Sequence, residues 1–456
     1  MSGERPEIET VSEETEGGVT LGVWELAWPT MISFALQTAV GFVDFVIVSS
    51  LGTEAVAAVG VAHQFYFAIF ALLASVSTGT VALVARFTGA GDEREADRVL
   101  RLSAALAVVV GVAMMGMIPW CDSVVALFGV SPEVVELGGS YLRILLLFNV
   151  PFTFGVVLAM GVRGAGDVRT PLLIGVALNV VNVILNYGLV YGRLGMPKLG
   201  TDGSALGTGI AMTLGALAWL ELWRRNWLAI PRHGWLDGFT ADRARRIIRI
   251  GVPTALEQIA FQVGLLLFLR VVARFGTDPV SAYLIGVRIL AFSFVPGIGY
   301  AQAGSTLVGQ HLGAGDPDGA ARSGWRATGG AVVVMGSVGL LIILTAPWIA
   351  QIFGAAGQNT VDLTVIFIYI LGAVQPLMAM EFALGGSLRG AGDTRFPLFV
   401  ILTGLFGVRL VSAYIVAGVL GGSVVAVWCC LLADYAVKAT MLSLRFASGA
   451  WKQVRV

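Results

Sequence analysis

The chain has 456 residues, of which 57% are hydrophobic and 13% charged. Soluble domains carry about a quarter charged residues, so a soluble fold is excluded and an all-α polytopic membrane protein is expected. Acidic and basic residues number 29 each; with no net charge to read, no nucleic-acid partner is expected, and charge has to be read by location.

Residues 1–20 form an acidic, polar tail, with Glu4, Glu7, Glu9, Glu13, Glu14 and Glu16 against Arg5. It lacks a basic segment followed by a short apolar run, which argues against a cleavable leader and for a disordered tail. Twelve apolar stretches follow, each long enough to cross a bilayer at about 20 residues. They lie at 21–50, 55–83, 97–120, 135–161, 170–192, 203–226, 246–274, 279–308, 322–347, 361–386, 396–418 and 423–445. Glycine is abundant at 59 residues, as in closely packed transmembrane helices. Cys121, Cys429 and Cys430 show no metal-ligand spacing and read as small packing groups.

One four-residue motif punctuates the chain. Gly-Ala-Gly-Asp occurs at 89–92, 164–167, 313–316 and 390–393. The first and third copies are 224 residues apart and the second and fourth 226 apart. Pro29-Thr30 matches Pro253-Thr254, and Leu51-Gly52-Thr53 matches Phe275-Gly276-Thr277, at the same offset of 224. The chain is therefore one unit written twice: a six-helix bundle over 21–228, a linker over 229–245 and a second six-helix bundle over 246–456. With six helices per unit, both units enter the membrane from the same side, so the repeat is a parallel pseudo-two-fold. The motif itself reads as a turn. Glycine suits the left-handed residue that ends a helix, and aspartate caps the next one. A phosphate cradle is disfavoured, because no Gly-Lys-Ser/Thr ending and no preceding strand accompany it.

Lysine and arginine set orientation. The side holding the four turns, the linker and both termini carries 21 of the 29 basic residues; the other side carries Arg193, Lys198 and Arg274, and five lie within helices. Both termini are therefore expected in the cytoplasm, with the protein in the cytoplasmic (inner) membrane.

Ionisable residues inside spanning helices are costly and mark function. Asp44 lies deep in the first helix without a basic neighbour in sequence, and Gln37 lies seven positions before it on the same face. Such an acid can trade a proton for a metal ion or a cationic substrate. Asn179, Asn182 and Asn186 make one stripe on the fifth helix at i, i+3 and i+7. The stripe reads equally as carbonyl ligands for Na⁺ or as interhelical hydrogen bonding; with Na⁺, the ligands would be Asp44, Asn179 and Asn182. Glu257 and Gln258 on the seventh helix, with Tyr283 and Arg288 on the eighth, form a candidate second coupling or substrate site, although Glu257 is near enough to the helix end to reach water. For Glu381 near Arg389, and for Asp434 near Lys438, local ion pairs are expected. No nucleotide loop, nucleophile elbow or metal cluster is present in the sequence, so neither an enzyme nor a cofactor is expected, and the missing Walker motif argues against an ATP-driven pump. A gradient-driven transporter remains.

Several segments resemble the multidrug and toxic compound extrusion (MATE) family, prokaryotic type. They are Trp28-Pro29-Thr30, Ala62-His63-Gln64, residues 162–171 around the second turn, Gly251 to Gln258, Thr306 to Gln310, and residues 388–397 around the fourth turn. The resemblance implies two bundles around a V-shaped cavity, alternating access, and export of cationic amphiphilic compounds in exchange for Na⁺ or H⁺. It implies a coupling acid in the first helix, where Asp44 stands. Some members add an acid in the fifth helix, where this chain has only asparagine; others use one in the seventh, for which Glu257 is the candidate. A monomer is expected. The alternatives are a flippase for lipids or polyprenyl phosphates, which would need cavity-facing Arg143, Arg288 and Arg409, and a channel.

Overall fold

A computed structural model describes residues 22–234, 239–352 and 357–454, apart from the side chains of 67–70. The tail at 1–20 and the middle of the expected linker lie outside the described residues. The described residues hold fifteen α-helices: α1 (Val23–Ser49), α2 (Thr53–Gly89), α3 (Glu93–Met115), α4 (Cys121–Ala126), α5 (Pro132–Leu147), α6 (Asn149–Gly164), α7 (Arg169–Tyr191), α8 (Thr201–Arg224), α9 (Ala241–Val272), α10 (Thr277–Gly313), α11 (Pro317–Ile352), α12 (Gln358–Gly390), α13 (Arg395–Ile401), α14 (Val411–Gly418) and α15 (Val424–Ala447). Eleven apolar helical segments are long enough to span a membrane, and α5 with α6 supplies a twelfth.

Two spans depart from simple rods. The stretch expected as one helix over 135–161 is α5 and α6, which meet at 55°. Pro151 in the first turn of α6 has no N–H to continue the α5 ladder, so a new helix starts there. The span over Arg395–Gly418 is continuous, but Leu402–Leu410 within it is π-helical. A nine-residue π segment is unusual and commonly marks a functional position.

All four Gly-Ala-Gly-Asp turns fold alike, and each residue has a separate task. The second glycine is the left-handed residue: Gly91, Gly166, Gly315 and Gly392 have φ between +70° and +96°. The following aspartate N–H bonds back five residues, to Phe87, Val162, His311 and Leu388 in turn, which is the helix-ending pattern that needs a left-handed residue. The aspartate side chain then starts the next helix in three turns. Asp92 accepts from Glu95 N–H at 3.0 Å, Asp167 from Thr170 N–H at 2.9 Å and Asp316 from Gly319 N–H at 2.7 Å. The Gly319 N–H holds the Asp316 carboxyl below its usual range. Asp393 differs and pairs with Arg445 at 2.8 Å.

The first glycine has a third role, as a site of close helix approach. A methyl group on Gly89 of α2 would overlap the backbone of Gln310 on α10, and one on Gly313 of α10 would overlap the backbone of Arg86 on α2. Gly89 and Gly313 are 224 residues apart, as are Arg86 and Gln310. The contact is thus two-fold symmetric between the bundles. A second symmetric pair lies deeper: Gly251 of α9 packs on Ser75 of α2, and Gly299 of α10 packs on Ala27 of α1. Thr306 and Gln310 also donate to the carbonyls of Arg163 and Gly164 at the end of α6, both at 3.1 Å. The bundles therefore meet through α1, α2, α9 and α10 on the face that carries the four turns.

Replacing Gly313 by valine puts a branched side chain into the Arg86 backbone. Overpacking of this kind costs ~1–3 kcal/mol, and on the order of tenfold in a two-state balance for each 1.4 kcal/mol. The expected outcome for Gly313→Val is separation of the bundles on this face. Distances between spin labels at positions 94 and 326 measure it; an unchanged distribution would refute the closure.

Candidate functional site

Asp44 stands in the second half of α1, away from the inter-bundle contact and packed on α7. It is half-buried. Its Oδ1 accepts a hydrogen bond from Asn186 Nδ2 at 2.6 Å. The same amide nitrogen reaches Asn182 Oδ1 at 3.4 Å, and Asn182 donates to Thr208 Oγ1 on α8 at 3.1 Å. Asn182 and Asn186 are buried. Asn186 Oδ1 has no partner among the described residues. Tyr141 of α5 and Ser204 of α8 are buried, and Tyr141 lies within electrostatic reach of Asp44. The close approach of α7 and α8 follows from small residues: Gly207 faces the Asn186 amide and Gly203 faces the Leu189 backbone. Tyr191, one turn beyond, ties α7 to α1 by donating to Ile47 O at 3.2 Å.

The predicted amide stripe is therefore only partly used. Asn182 and Asn186 converge on Asp44. Asn179 is half-buried and Gln37 exposed, and neither side chain makes a hydrogen bond among the described residues. Nearly two turns of helix separate Asn179 from the amide that reaches the acid.

The residues proposed as a second site do not assemble. Glu257 is buried and paired with Arg389 at 2.5 Å, so it does not reach out to water. Gln258 is half-buried beside it. Tyr283 belongs to an aromatic cluster instead, with ring centroids 5.7 Å from Phe268 and 5.5 Å from Phe367. Phe268 is eleven residues beyond Glu257 on α9, about 16 Å along the helix. Arg288 is exposed and has no ion pair among the described residues.

The second bundle instead holds a closed ion network. Arg409, on the π segment, pairs with Asp434 of α15. Lys438 pairs with Glu381 of α12 at 2.8 Å and with Asp434 at 3.5 Å. Arg409, Asp434 and Lys438 are buried. The Lys438 ammonium also sits 3.9 Å from the Tyr435 ring centroid. The expected local pair of Asp434 with Lys438 is present, but Arg409 is the nearer partner. The expected pair of Glu381 with Arg389 is absent: Lys438 takes Glu381, and Arg389 takes Glu257. Glu257 and Glu381 line one small cavity between α9, α12 and α13. Long cations on neighbouring helices decide the partners of Glu257 and Glu381.

The MatE family profile matches residues 29–188 and 253–415. The chain belongs to the MATE family. Among curated relatives, a probable multidrug resistance protein NorM of Thermotoga maritima is 27% identical over 94% of this chain and 92% of its own length. A multidrug resistance protein NorM of Burkholderia vietnamiensis is 29% identical over 92% of each. Among solved structures, a MOP superfamily transporter from Pyrococcus furiosus superposes with a TM-score of 0.88 at 25% identity, over 95% of this chain and 96% of that one. Of that transporter it is said that the reversed polarity of its binding pocket suggests a different function.

Within this MATE chain, sequence reading missed Tyr141, Ser204 and Thr208. Tyr141 lies in an apolar run that carries no polar stripe. Ser204 and Thr208 gave a signal, being i, i+4 on α8 and interleaved with Gly203 and Gly207. The ion network makes its own prediction. Removing one partner of a buried pair costs about 3–5 kcal/mol, whereas replacing a whole pair with apolar residues is often neutral. Asp434→Asn should therefore lower thermal stability in detergent well below that of Arg409→Met/Asp434→Leu. Equal stability of the two variants, measured by fluorescence-detected unfolding, would show that the network is not closed.

Proposed function

We propose that this protein is an antiporter that exports cationic amphiphilic compounds across the cytoplasmic membrane in exchange for protons, with Asp44 as the shared carrier. The carrying observation is the state of that carboxylate. Its one hydrogen-bond donor is the Asn186 amide, and no cationic side chain pairs with it among the described residues. Its bonded neighbours are amides, whereas Glu257, Glu381 and Asp434 of the second bundle are matched with cations. An unmatched carboxylate inside a membrane can hold either a proton or an organic cation, and the two exclude each other. Their binding is then reciprocally antagonistic, as linkage requires.

Protons are favoured over Na⁺ by the local donors. Asn186 presents an N–H to both Asp44 Oδ1 and Asn182 Oδ1, so two of the nearby oxygens are already accepting, and the free Asn186 Oδ1 beside them is few ligands for a hard cation. A proton needs Asp44 alone. The NorM relatives, named as multidrug resistance proteins, support the export reading. A lipid-phosphate carrier would use Arg143, Arg288 and Arg409, but Arg143 and Arg409 pair with Asp122 and Asp434, which leaves only Arg288 without an ion pair among the described residues.

Access follows from where the bundles touch. They are joined on the face of the four turns, and Asp44 lies in the other half of α1. In this state the acid is reached from the face opposite the turns. With the basic face in the cytoplasm, this is the outward-open state. Proton uptake releases the exported cation there, and separation of α2 from α9 and α10 on the opposite face reopens the site inward.

The test is ethidium transport in proteoliposomes under an imposed pH gradient and, separately, an imposed Na⁺ gradient. The pH gradient should drive transport in the native protein, and Asp44→Asn should abolish it while eluting as a monomer. Wild-type rates in Asp44→Asn would remove the carrier role; transport driven by Na⁺ alone would remove the proton.

A further inference from the structure

A cavity of about 360 Å³ lies on the outer side of the second bundle, where α9 ends against the span that contains the π segment. Its lining is Leu267, Arg270, Val271 and Arg274 of α9, Leu410 at the end of the π segment and Tyr414 of α14. Arg270 and Arg274 are exposed, and neither has an ion pair among the described residues. Being i, i+4, they lie one turn apart on one face, where like charges repel. The Arg274 guanidinium is 4.9 Å from the Tyr414 ring centroid. Stacking occupies its flat face and leaves the N–H edge free for an anion.

The same helix face continues into the membrane as an apolar stripe. Val263, Leu266 and Leu267 are exposed one to two turns before Arg270. The arrangement is a pair of unmatched guanidinium groups at the end of a lipid-facing strip. Snorkelling explains an arginine near a helix end, but it does not explain a second one a turn away, both lining a cavity. The distribution of charge points the same way. This membrane face is the one poor in lysine and arginine, so the excess that orients a membrane protein lies on the other face.

We propose that this cavity binds the phosphate of an anionic phospholipid, with Arg270 and Arg274 on the phosphate oxygens and an acyl chain along Leu267, Leu266 and Val263. Arginine forks match phosphate oxygens bidentately, and the volume lies within the range of small-ligand sites. A lipid seated there touches both α9, whose other half closes against α2, and the helix that carries Arg409. The site faces lipid, not the space between the bundles, and is independent of Asp44.

Native mass spectrometry of the full chain tests it, with phosphatidylglycerol and phosphatidylcholine added at equal concentration. The wild-type protein should retain phosphatidylglycerol preferentially. A basic residue near an anionic headgroup contributes a factor of about five, so Arg270→Gln/Arg274→Gln should lose the preference. Arg270→Lys/Arg274→Lys, which keeps the charge, should retain part of it; this variant covers the case in which the glutamine variant fails to fold. Arg245→Gln/Arg249→Gln, at the opposite end of α9, should retain all of it. Undiminished preference in the glutamine variant, or equal loss in the variant at positions 245 and 249, would overturn the proposal. Displacement of the lipid by millimolar inorganic phosphate would also overturn it, by making the site one for free anions.

Discussion

Backbone-to-backbone contact between the bundles is the constraint on which the rest of this structure depends. Helices α2 and α10 meet where Gly89 and Gly313 have no side chain, and α9 and α1 meet α2 and α10 at Gly251 and Gly299. These contacts use few directed bonds. Without a hydrophobic driving force between helices in lipid, close van der Waals packing and a few polar bonds hold such a surface. That suits a surface that has to open. The same four-residue turn ends the helix with one glycine, makes the contact with the other, and starts the next helix with its aspartate. A change in the contact is therefore transmitted at once to the ends of the helices that it joins.

Charge is handled in opposite ways by the two bundles. The second holds Arg409, Lys438, Asp434 and Glu381 in one network, with Glu257 and Arg389 beside it. Positive and negative groups match, so the network can stay dry without exchanging anything with solvent. The first bundle also buries an ion pair, Asp97 with Arg101, but around Asp44 it places neutral amides, with no cation paired to the acid among the described residues. An acid without a cationic partner inside a membrane is costly. The asymmetry is why the proposed exchange role falls on the first bundle and a stabilising role on the second.

Much of the architecture was legible in the residues. The Gly-Ala-Gly-Asp repeats disclosed the doubling, and the apolar stretches disclosed the spans, because both are local patterns. Asp44 stood out because a lone acid in an apolar run is costly wherever the helix packs. Legibility failed where the answer depended on which helix lies alongside. Asn179 shares a face with Asn182 and Asn186, but a straight stripe does not say how far a neighbouring acid reaches. Glu381 lies eight residues before Arg389, yet Lys438, from a helix distant in sequence, takes it. Arg409 owes its place to a π segment for which the sequence carries no signal. Phe148, where α5 gives way to α6, was hidden inside an apolar run, although Pro151 was a readable cue.

The repeat also explains why the two interiors differ without breaking the fold. At an offset of 224, Asp44 corresponds to Phe268, and at 226, Thr208 corresponds to Asp434. Phe268 is fully buried, with the Arg409 guanidinium 5.9 Å from its ring centroid. Thus the same locus, between the first, fifth and sixth helices of each unit, is polar in both bundles. In one the acid is on the first helix and the sixth helix supplies a hydroxyl. In the other the acid has moved to the sixth helix, an arginine has entered on the fifth, and an aromatic ring fills the place of the first acid. The scaffold fixes where polarity is tolerated, and the choice of residue there decides between exchange and closure. Moving one acid across that locus, together with one cation, converts an acid without a cationic partner into a sealed pair.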